Sequence, residues 1–406
     1  MDIPVTDGSV CGGHQGATSW ARARERARLL GEESGSPVRE LPLGRALGGV
    51  LAGDLRALVG LPAFDASAMD GFAVAGPGPW GLVGTQLAGV PVAGLSLGAG
   101  EAVEIATGAR VPKGTEAVLP YELAEVVEGR VRGEALPGRH VRWSGEETAP
   151  GETVLAAGTE VTPAVLGLAA SLGHDALSVR LPTVTVLVTG DEIATNGLPG
   201  EGVVRDAIGP LLPGVVSWAG ARLERVRTLG DGYEDLAEAL TTARSDVVVV
   251  CGSSSKGPAD HLRGVLGAMG ARTVVDGVAC RPGHPQLLAH VDVPADGSAG
   301  GTLFVGLPGN PNAALVASLT LLVPLLSAMS GRPDPSLGLG RFPLVGQVRA
   351  RPDDACLVAV RLREGRAEAV GHDRPGSLRG AALAEAYAVL PPGWDGTGEV
   401  ELLRLP

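Results

Sequence analysis

Aromatic side chains are scarce, at 3% of 406 residues. That scarcity removes the stacking platforms on which single-stranded nucleic acid is held. Lysine is scarcer still. Lys113 and Lys256 are the only two, so nearly every positive charge is an arginine. A net charge of −12 disfavours nucleic acid and anionic membranes as partners. A phosphate or oxyanion ligand would therefore need a local cation or metal. Cys11, Cys251, Cys280 and Cys356 lack paired metal-ligand spacing, which predicts reduced thiols, no zinc site and a cytoplasmic chain. No basic region followed by an apolar run opens the sequence, so no signal peptide is predicted. The longest apolar run, residues 315–326, is interrupted by Ser318, Thr320 and Pro324. It is too short to span a bilayer and suits a buried helix.

What is present is 62 Gly and 31 Pro among plentiful Val, Leu and Ala, a composition of short strands and many turns. Residues 18–30 read as a helix, and residues 41–55 as a strand or short helix followed by turns. Residues 61–142 read as a small β lobe, with strands at 103–107 and 117–121. A loop carrying Asp65, Ser67 and Asp70 comes before them. Asp70-Gly71 is also a common turn pair. Thr162 is placed to cap a helix over 162–172, with Pro163 at its first position. From 183 to 330 apolar strands (183–189, 246–251, 302–306) alternate with helical segments (207–219, 233–244, 258–269, 311–329). This is the pattern of an α/β domain with a doubly wound, mostly parallel sheet. Pro210 and Pro213 predict that its first helix is short, kinked or displaced. Past 333, Pro/Gly-rich linker material leads to strands at 344–349, 356–362 and 387–390, a small β domain.

Three loops fall at the carboxyl ends of these strands, where open α/β sheets bind ligands. Strand 183–189 turns at Gly190 and presents Asp191 and Glu192. Carboxylates there hold a hard cation or move a proton, or else merely solvate a turn. The loop 251–257 carries Ser253, Ser254, Ser255 and Lys256 and leads to Asp260. Its N–H groups, hydroxyls and single lysine can wrap an oxyanion. The loop 307–311 places Asn310 as a cap and Pro311 at the first position of a helix whose N-terminus favours an anion. Each loop alone reads equally as an ordinary strand-to-helix turn. Three on one edge point to a site.

Taken together, these motifs resemble the molybdopterin molybdenumtransferases, or molybdenum insertases, which include the C-terminal domain of gephyrin. The resemblance covers about residues 19–405. It is carried by Ser67-Ala68-Met69-Asp70-Gly71-Phe72-Ala73-Val74, Thr107-Gly108-Ala109 with Val111-Pro112, Gly145-Glu146-Glu147, Thr189-Gly190-Asp191-Glu192, and Leu307-Pro308-Gly309-Asn310-Pro311. It implies four domains: a discontinuous one over 17–60 and 143–180, an inserted β lobe over 61–142, an α/β molybdopterin-binding domain over 181–332 and a β domain over 333–406. It further implies a homodimer whose active site lies between the α/β domain of one subunit and the β lobe of the other. The implied reaction inserts molybdate into adenylated molybdopterin with Mg²⁺ and releases AMP. Other molybdenum cofactor assembly proteins are the implied partners. Carried over residue by residue, the resemblance implies catalytic roles for Asp70, Glu192, Asp231 and Asp260. It implies Mg²⁺ ligands at Glu147, Glu192, Asp231 and Asp260. It implies substrate contacts at Thr107, Ser255, Lys256, Arg281, Pro282, Pro308, Gly309, Asn310 and Ser377.

The chain departs from the family pattern mainly where an oxyanion would be held. Gly252-Ser253 stands for Gly-Gly, and Arg281-Pro282-Gly283-His284-Pro285 for Lys-Pro-Gly-Lys-Pro. Gly277 stands for a lysine, Ile208 for an asparagine and Ala359 for an arginine that Arg361 could replace. Glu147 stands for an aspartate. Arginine and lysine differ in geometry as oxyanion holders. Three functions therefore stay open: an active insertase, an impaired paralogue that binds molybdopterin or scaffolds its partners, and a Mg²⁺-dependent hydrolase of a nucleotide diphosphate.

Overall fold

A computed structural model of the chain describes residues 16–90, 96–255, 257, 260–291, 301–372 and 374–406. Lys256 and Cys11 fall outside the described residues. The chain divides into two compact units, one of residues 1–40, 48–52 and 178–406, the other of residues 41–47 and 53–177.

In the larger unit, β-branched and aliphatic residues form a six-stranded sheet in the order Arg222–Leu229, Thr183–Thr189, Val247–Cys251, Thr302–Leu307, Leu287–Val291 and Arg272–Asp276. The first four strands are parallel, Leu287–Val291 runs antiparallel to them, and Arg272–Asp276 pairs antiparallel with Leu287–Val291. Alternation along Thr183–Thr189 sends Val184, Val186 and Val188 into one apolar layer and Leu187 into the other. Burial on both faces is why that sequence reads as an unbroken apolar run. One layer is covered by the helix Trp20–Ser34 and by residues 311–330, the other by the helices Tyr233–Thr242 and Leu262–Ala268. The α/β reading of the sequence therefore holds. Residues 311–330 are long and apolar enough to cross a membrane, but 94% of the apolar window is buried, as in a core helix. A π turn at Ser318–Leu322 lets Val323 N–H reach Ser318 O. It falls just before Pro324, which has no N–H to give the regular ladder.

The helix expected over 207–219 is confined to Leu212–Trp218, with Pro213 in its first turn. Ahead of it, the Asp206 carboxylate accepts from Ile208 N and Gly209 N, each at 2.9 Å. A further sheet in this unit joins Ala355–Arg363, Arg366–Ala369, Arg341–Val345, Glu399–Arg404 and Ala386–Leu390, and the first and last of these also pair, closing a barrel. Val278–Arg281 and Thr18–Ser19 extend it. The strand expected over 344–349 is displaced to Arg341–Val345 and stops at Gly346, whose φ is +122°.

The smaller unit carries a six-stranded sheet in the order Glu125–Val127, Arg130–Arg132, Trp80–Gln86, Glu101–Ile105, Gly71–Ala75 and Ala117–Pro120. Its two faces bury Ala73, Val103 and Val118 on one side and Phe72, Ala102 and Leu119 on the other. The helix Pro163–Ser171 starts as its sequence dictates: the Thr162 hydroxyl accepts from Val165 N at 3.3 Å.

Candidate active site

The three strand-end loops of the larger unit are laced together. Thr189 Oγ1 donates to Cys251 O (3.2 Å), and Gly252 N donates to Leu307 O (3.1 Å). Ser254, 1% exposed, has its hydroxyl within reach of Leu307 O (2.9 Å) and Pro285 O (3.0 Å). Arg263 Nη1 donates to the carbonyls of Ser254 (2.7 Å) and Ser255 (2.6 Å). The Ser254 hydroxyl, read in the sequence as one of those that can wrap an oxyanion, is instead spent on backbone carbonyls, and Arg263 does not stand out in the sequence because the carbonyls it binds are brought within reach only by the fold.

At the first loop, Asp231 N donates to Asp191 Oδ1 (3.3 Å), and Asp191 N donates to Asp231 Oδ2 (3.4 Å). Two carboxylates from neighbouring strand ends are thereby fixed side by side. Glu192 is exposed next to them, with its carbonyl taken by Val204 N (2.9 Å). Asp191 is noticeable in the sequence as a strand-end carboxylate but has no role in the resemblance; the geometry gives it one.

Two expectations about backbone N–H groups change. Asp260 accepts from Ser255 N (3.0 Å) and from Gly257 N, so the loop already encloses an anion of its own. The N–H groups of Ser255 and Gly257 are thus taken by Asp260. Asn310 has capping backbone angles, φ −80° and ψ 126°, but its side chain makes no capping bond. Instead Asn312 N (2.9 Å) and Ala313 N (3.1 Å) donate to Pro375 O. The helix start is therefore closed by the segment carrying Ser377, and is not open to a ligand as its sequence suggests. The same contact brings together two regions expected to bind substrate: Asn310 Oδ1 lies 3.5 Å from where a Cβ on Gly376 would stand. Half-buried Ser377 accepts from Arg379 N through its hydroxyl (3.4 Å). Pro308 is buried while Gly309 and Asn310 are exposed.

Arg281 donates from Nε to Asp354 (2.9 Å), with Pro282 buried next to it in the chain. His284 donates from Nδ1 to Val278 O (2.7 Å). Its ring lies 3.5 Å from the place a Gly277 Cβ would take, so imidazole fills space beside a residue that has no side chain. Ile208 is 4% exposed and part of the apolar core. Arg361 donates to Leu383 O, and Ala359 is buried in the core. Cys251, at a strand end, is no nucleophile: burial first, then the Asp206 charge, pushes its thiol far above the ordinary range.

Among the described residues, no group of three or more His, Cys, Asp or Glu stands close enough to hold a metal. Glu192, Asp231 and Asp260 therefore do not form a protein cage. Mg²⁺ commonly takes one or two carboxylates and completes its shell with water and substrate phosphates. One or two carboxylates drawn from Asp191, Glu192 and Asp231 suit that mode.

In the smaller unit Asp70 and Thr107 meet: Asp70 Oδ1 accepts from Thr107 N (2.7 Å). Gly71 is required beside them, since a Cβ there would fall 2.1 Å from Leu119 O. Asp70, Thr107 and Glu147 are all exposed.

Comparison with known proteins gives the family. Residues 18–173 match the family model described as "MoeA N-terminal region (domain I and II)", and residues 185–328 match "Probable molybdopterin binding domain". Molybdopterin molybdenumtransferase 2 of Mycobacterium tuberculosis is 38% identical over 316 residues, 73% of this chain and 76% of that protein. The molybdopterin molybdenumtransferase of Staphylococcus aureus is 28% identical over 321 residues, 75% of this chain and 74% of that protein. The crystal structure of a molybdopterin biosynthesis MoeA protein from a Pyrococcus species superposes with a TM-score of 0.67 at 25% identity, covering 96% of this chain and 99% of that one.

Proposed function

The chain belongs to the molybdopterin molybdenumtransferase family, and from that membership we propose that it inserts molybdate into adenylated molybdopterin, with Mg²⁺ and release of AMP. The observation that carries this reading is the reciprocal pairing of Asp191 and Asp231 beside exposed Glu192, at the carboxyl edge of a parallel sheet.

A bound Mg²⁺ would neutralise the substrate diphosphate and polarise it toward cleavage. Glu192 and Asp231 would hold it, with Asp260 keeping the neighbouring loop in shape through Ser255 and Gly257. Arg281, the Ser255 and Ser377 hydroxyls and Lys256 would hold molybdate oxygens by charge-assisted bonds. Pro308, Gly309 and Asn310 would line the pterin or nucleotide. Asp70, Thr107 and Glu147 would complete the site from the β lobe of a second subunit, in a cytoplasmic homodimer with four domains per chain. Other molybdenum cofactor assembly proteins would deliver the substrate. The reading of an impaired, molybdopterin-binding paralogue has one observation in its favour: Arg281 is engaged by Asp354, which competes with a molybdate oxygen.

The test is to incubate the purified chain with adenylated molybdopterin, Mg²⁺ and molybdate. Insertion requires both AMP and molybdenum-loaded pterin. AMP alone would indicate the hydrolase, and neither product the impaired paralogue. Glu192→Ala should abolish AMP release and chelation of Mg²⁺ should do the same. Unchanged release in either case would overturn the carboxylate assignment.

A further inference from the structure

Tyr121 is one of the few aromatic residues of the chain, and 44% of it is exposed. It follows the strand Ala117–Pro120, which pairs with Gly71–Ala75 so that Gly71 faces Pro120 and Phe72 faces Leu119. One step further, Tyr121 N donates to Asp70 O (3.2 Å), so Tyr121 and Asp70 are cross-strand neighbours on one face of the sheet.

The ring is held rather than loose. It meets buried Phe72 edge-on, with centroids 5.3 Å apart. Its hydroxyl donates to Glu104 Oε1 (2.8 Å), and Glu104 Oε2 accepts from Thr85 (3.3 Å). Both Glu104 oxygens are thus occupied. Asp70 differs: Oδ1 takes Thr107 N (2.7 Å), while among the described residues no hydrogen bond engages Oδ2. Burial first, then the Glu104 bond and charge and the Asp70 charge, raise the phenol above its ordinary value. It stays a neutral donor to Glu104 at physiological pH.

A fixed, exposed ring beside a carboxylate with an oxygen to spare is a receptor for one kind of chemistry. The ring offers a stacking surface, and the open carboxylate oxygen accepts from an amino group on a ring stacked there. Two acidic side chains make it a poor place for phosphate. We propose that Tyr121 and Asp70 bind the planar, amino-bearing heteroaromatic ring of the substrate, with Tyr121 as the stacking surface and Asp70 Oδ2 as the acceptor. This rests on the proposed function only for the identity of the ring, since adenylated molybdopterin carries two such rings, a pterin and an adenine.

The experiment titrates two probes separately, AMP and 6-hydroxymethylpterin, into the full chain and its Tyr121→Phe, Tyr121→Ala and Asp70→Asn variants, by calorimetry. Tyr121→Phe should bind within about twofold of the wild type, because the stacking surface stays. Tyr121→Ala should weaken one or both probes by about tenfold, the scale of one lost stack. Loss for AMP alone assigns adenine, and loss for the pterin alone assigns the pterin. Equal thermal melting of the Tyr121 variants excludes unfolding, and a lowered melting point with unchanged affinity would overturn the proposal. So would a Tyr121→Ala variant that binds both probes as the wild type does, or a wild type that binds neither at millimolar concentration. Transfer failing in the wild type while Tyr121→Ala still weakens a probe would remove the enzymatic reading and leave this site standing.

Discussion

Asp191 and Asp231 each accept the other's backbone N–H, at 3.3 and 3.4 Å. Two strand ends 40 residues apart are thereby clamped by the very groups proposed to face the Mg²⁺-diphosphate. A hydrogen bond to a charged group contributes about 1.5–3 kcal/mol. Asp191→Asn keeps an acceptor for Asp231 N and loses only charge, whereas Asp191→Ala releases the clamp. AMP release should fall by about tenfold or more in Asp191→Ala, on the rule that about 1.4 kcal/mol is tenfold in rate. It should fall less in Asp191→Asn. Single-turnover AMP measurements on the two variants separate these outcomes, and equal rates would remove the clamp from the mechanism.

Two departures from the family pattern have opposite consequences for stability. Ser253 stands where the family carries glycine, yet keeps a φ of +49°, a region that disfavours any side chain by about 1–2 kcal/mol. Ser253→Gly should therefore raise the melting temperature by a few degrees, about 2–4 °C per kcal/mol. Gly277 stands where the family carries lysine and has a φ of +79°, with the His284 ring 3.5 Å from any new Cβ. Gly277→Lys should lower the melting temperature by a similar amount and restore no activity, because the backbone that presents a lysine is absent. Differential scanning fluorimetry of both variants checks the pair of signs.

The α/β core was legible because burial on both faces leaves a plain signature. Val184, Val186, Leu187 and Val188 form an apolar run that nothing but a central strand accommodates. Helix ends were legible where chemistry is local, as at Thr162 and Pro163. The loops were located correctly, but their bonding was not. Whether Ser255 N–H points to a ligand or to Asp260 depends on where Asp260 lies after folding. Whether Asn312 N–H is open depends on Pro375, 63 residues away. Ile208 could be noticed only as a departure from a pattern, since nothing local separates a core isoleucine from a ligand contact.

Buried thiols give a check that needs no substrate. Cys251 and Cys280 are fully enclosed, and burial raises both thiols far above the ordinary range. The thiolate is the reactive form, and at pH 8 almost none exists at these two positions. Native chain treated with iodoacetamide should carry no label at Cys251 or Cys280 by peptide mass spectrometry, and denatured chain should carry label at both. Label at Cys251 in the native state would mean that the second strand-end loop opens.

The segment holding Ser377 depends on a bond outside the site. Tyr387, 1% exposed, donates its hydroxyl to Asn312 Oδ1, and Asn312 Nδ2 reaches Arg374 O at 3.3 Å. With Pro375 O on Asn312 N and Ala313 N, this fixes residues 374–377 against the start of the buried helix. Tyr387→Phe changes no shape but leaves Asn312 Oδ1 buried without a donor, at a cost of about 1–3 kcal/mol. The melting temperature should drop by about 2–4 °C for each kcal/mol lost. Because Ser377 is carried on the loosened segment, the molybdate concentration needed for half-maximal insertion should rise in the same variant. AMP release at saturating molybdate should stay close to wild type. Tyr387→Phe combined with Asn312→Leu should cost less than the sum of the two single changes, since neither partner is then left unsatisfied. A merely structural role would lower stability and leave the molybdate requirement where it was.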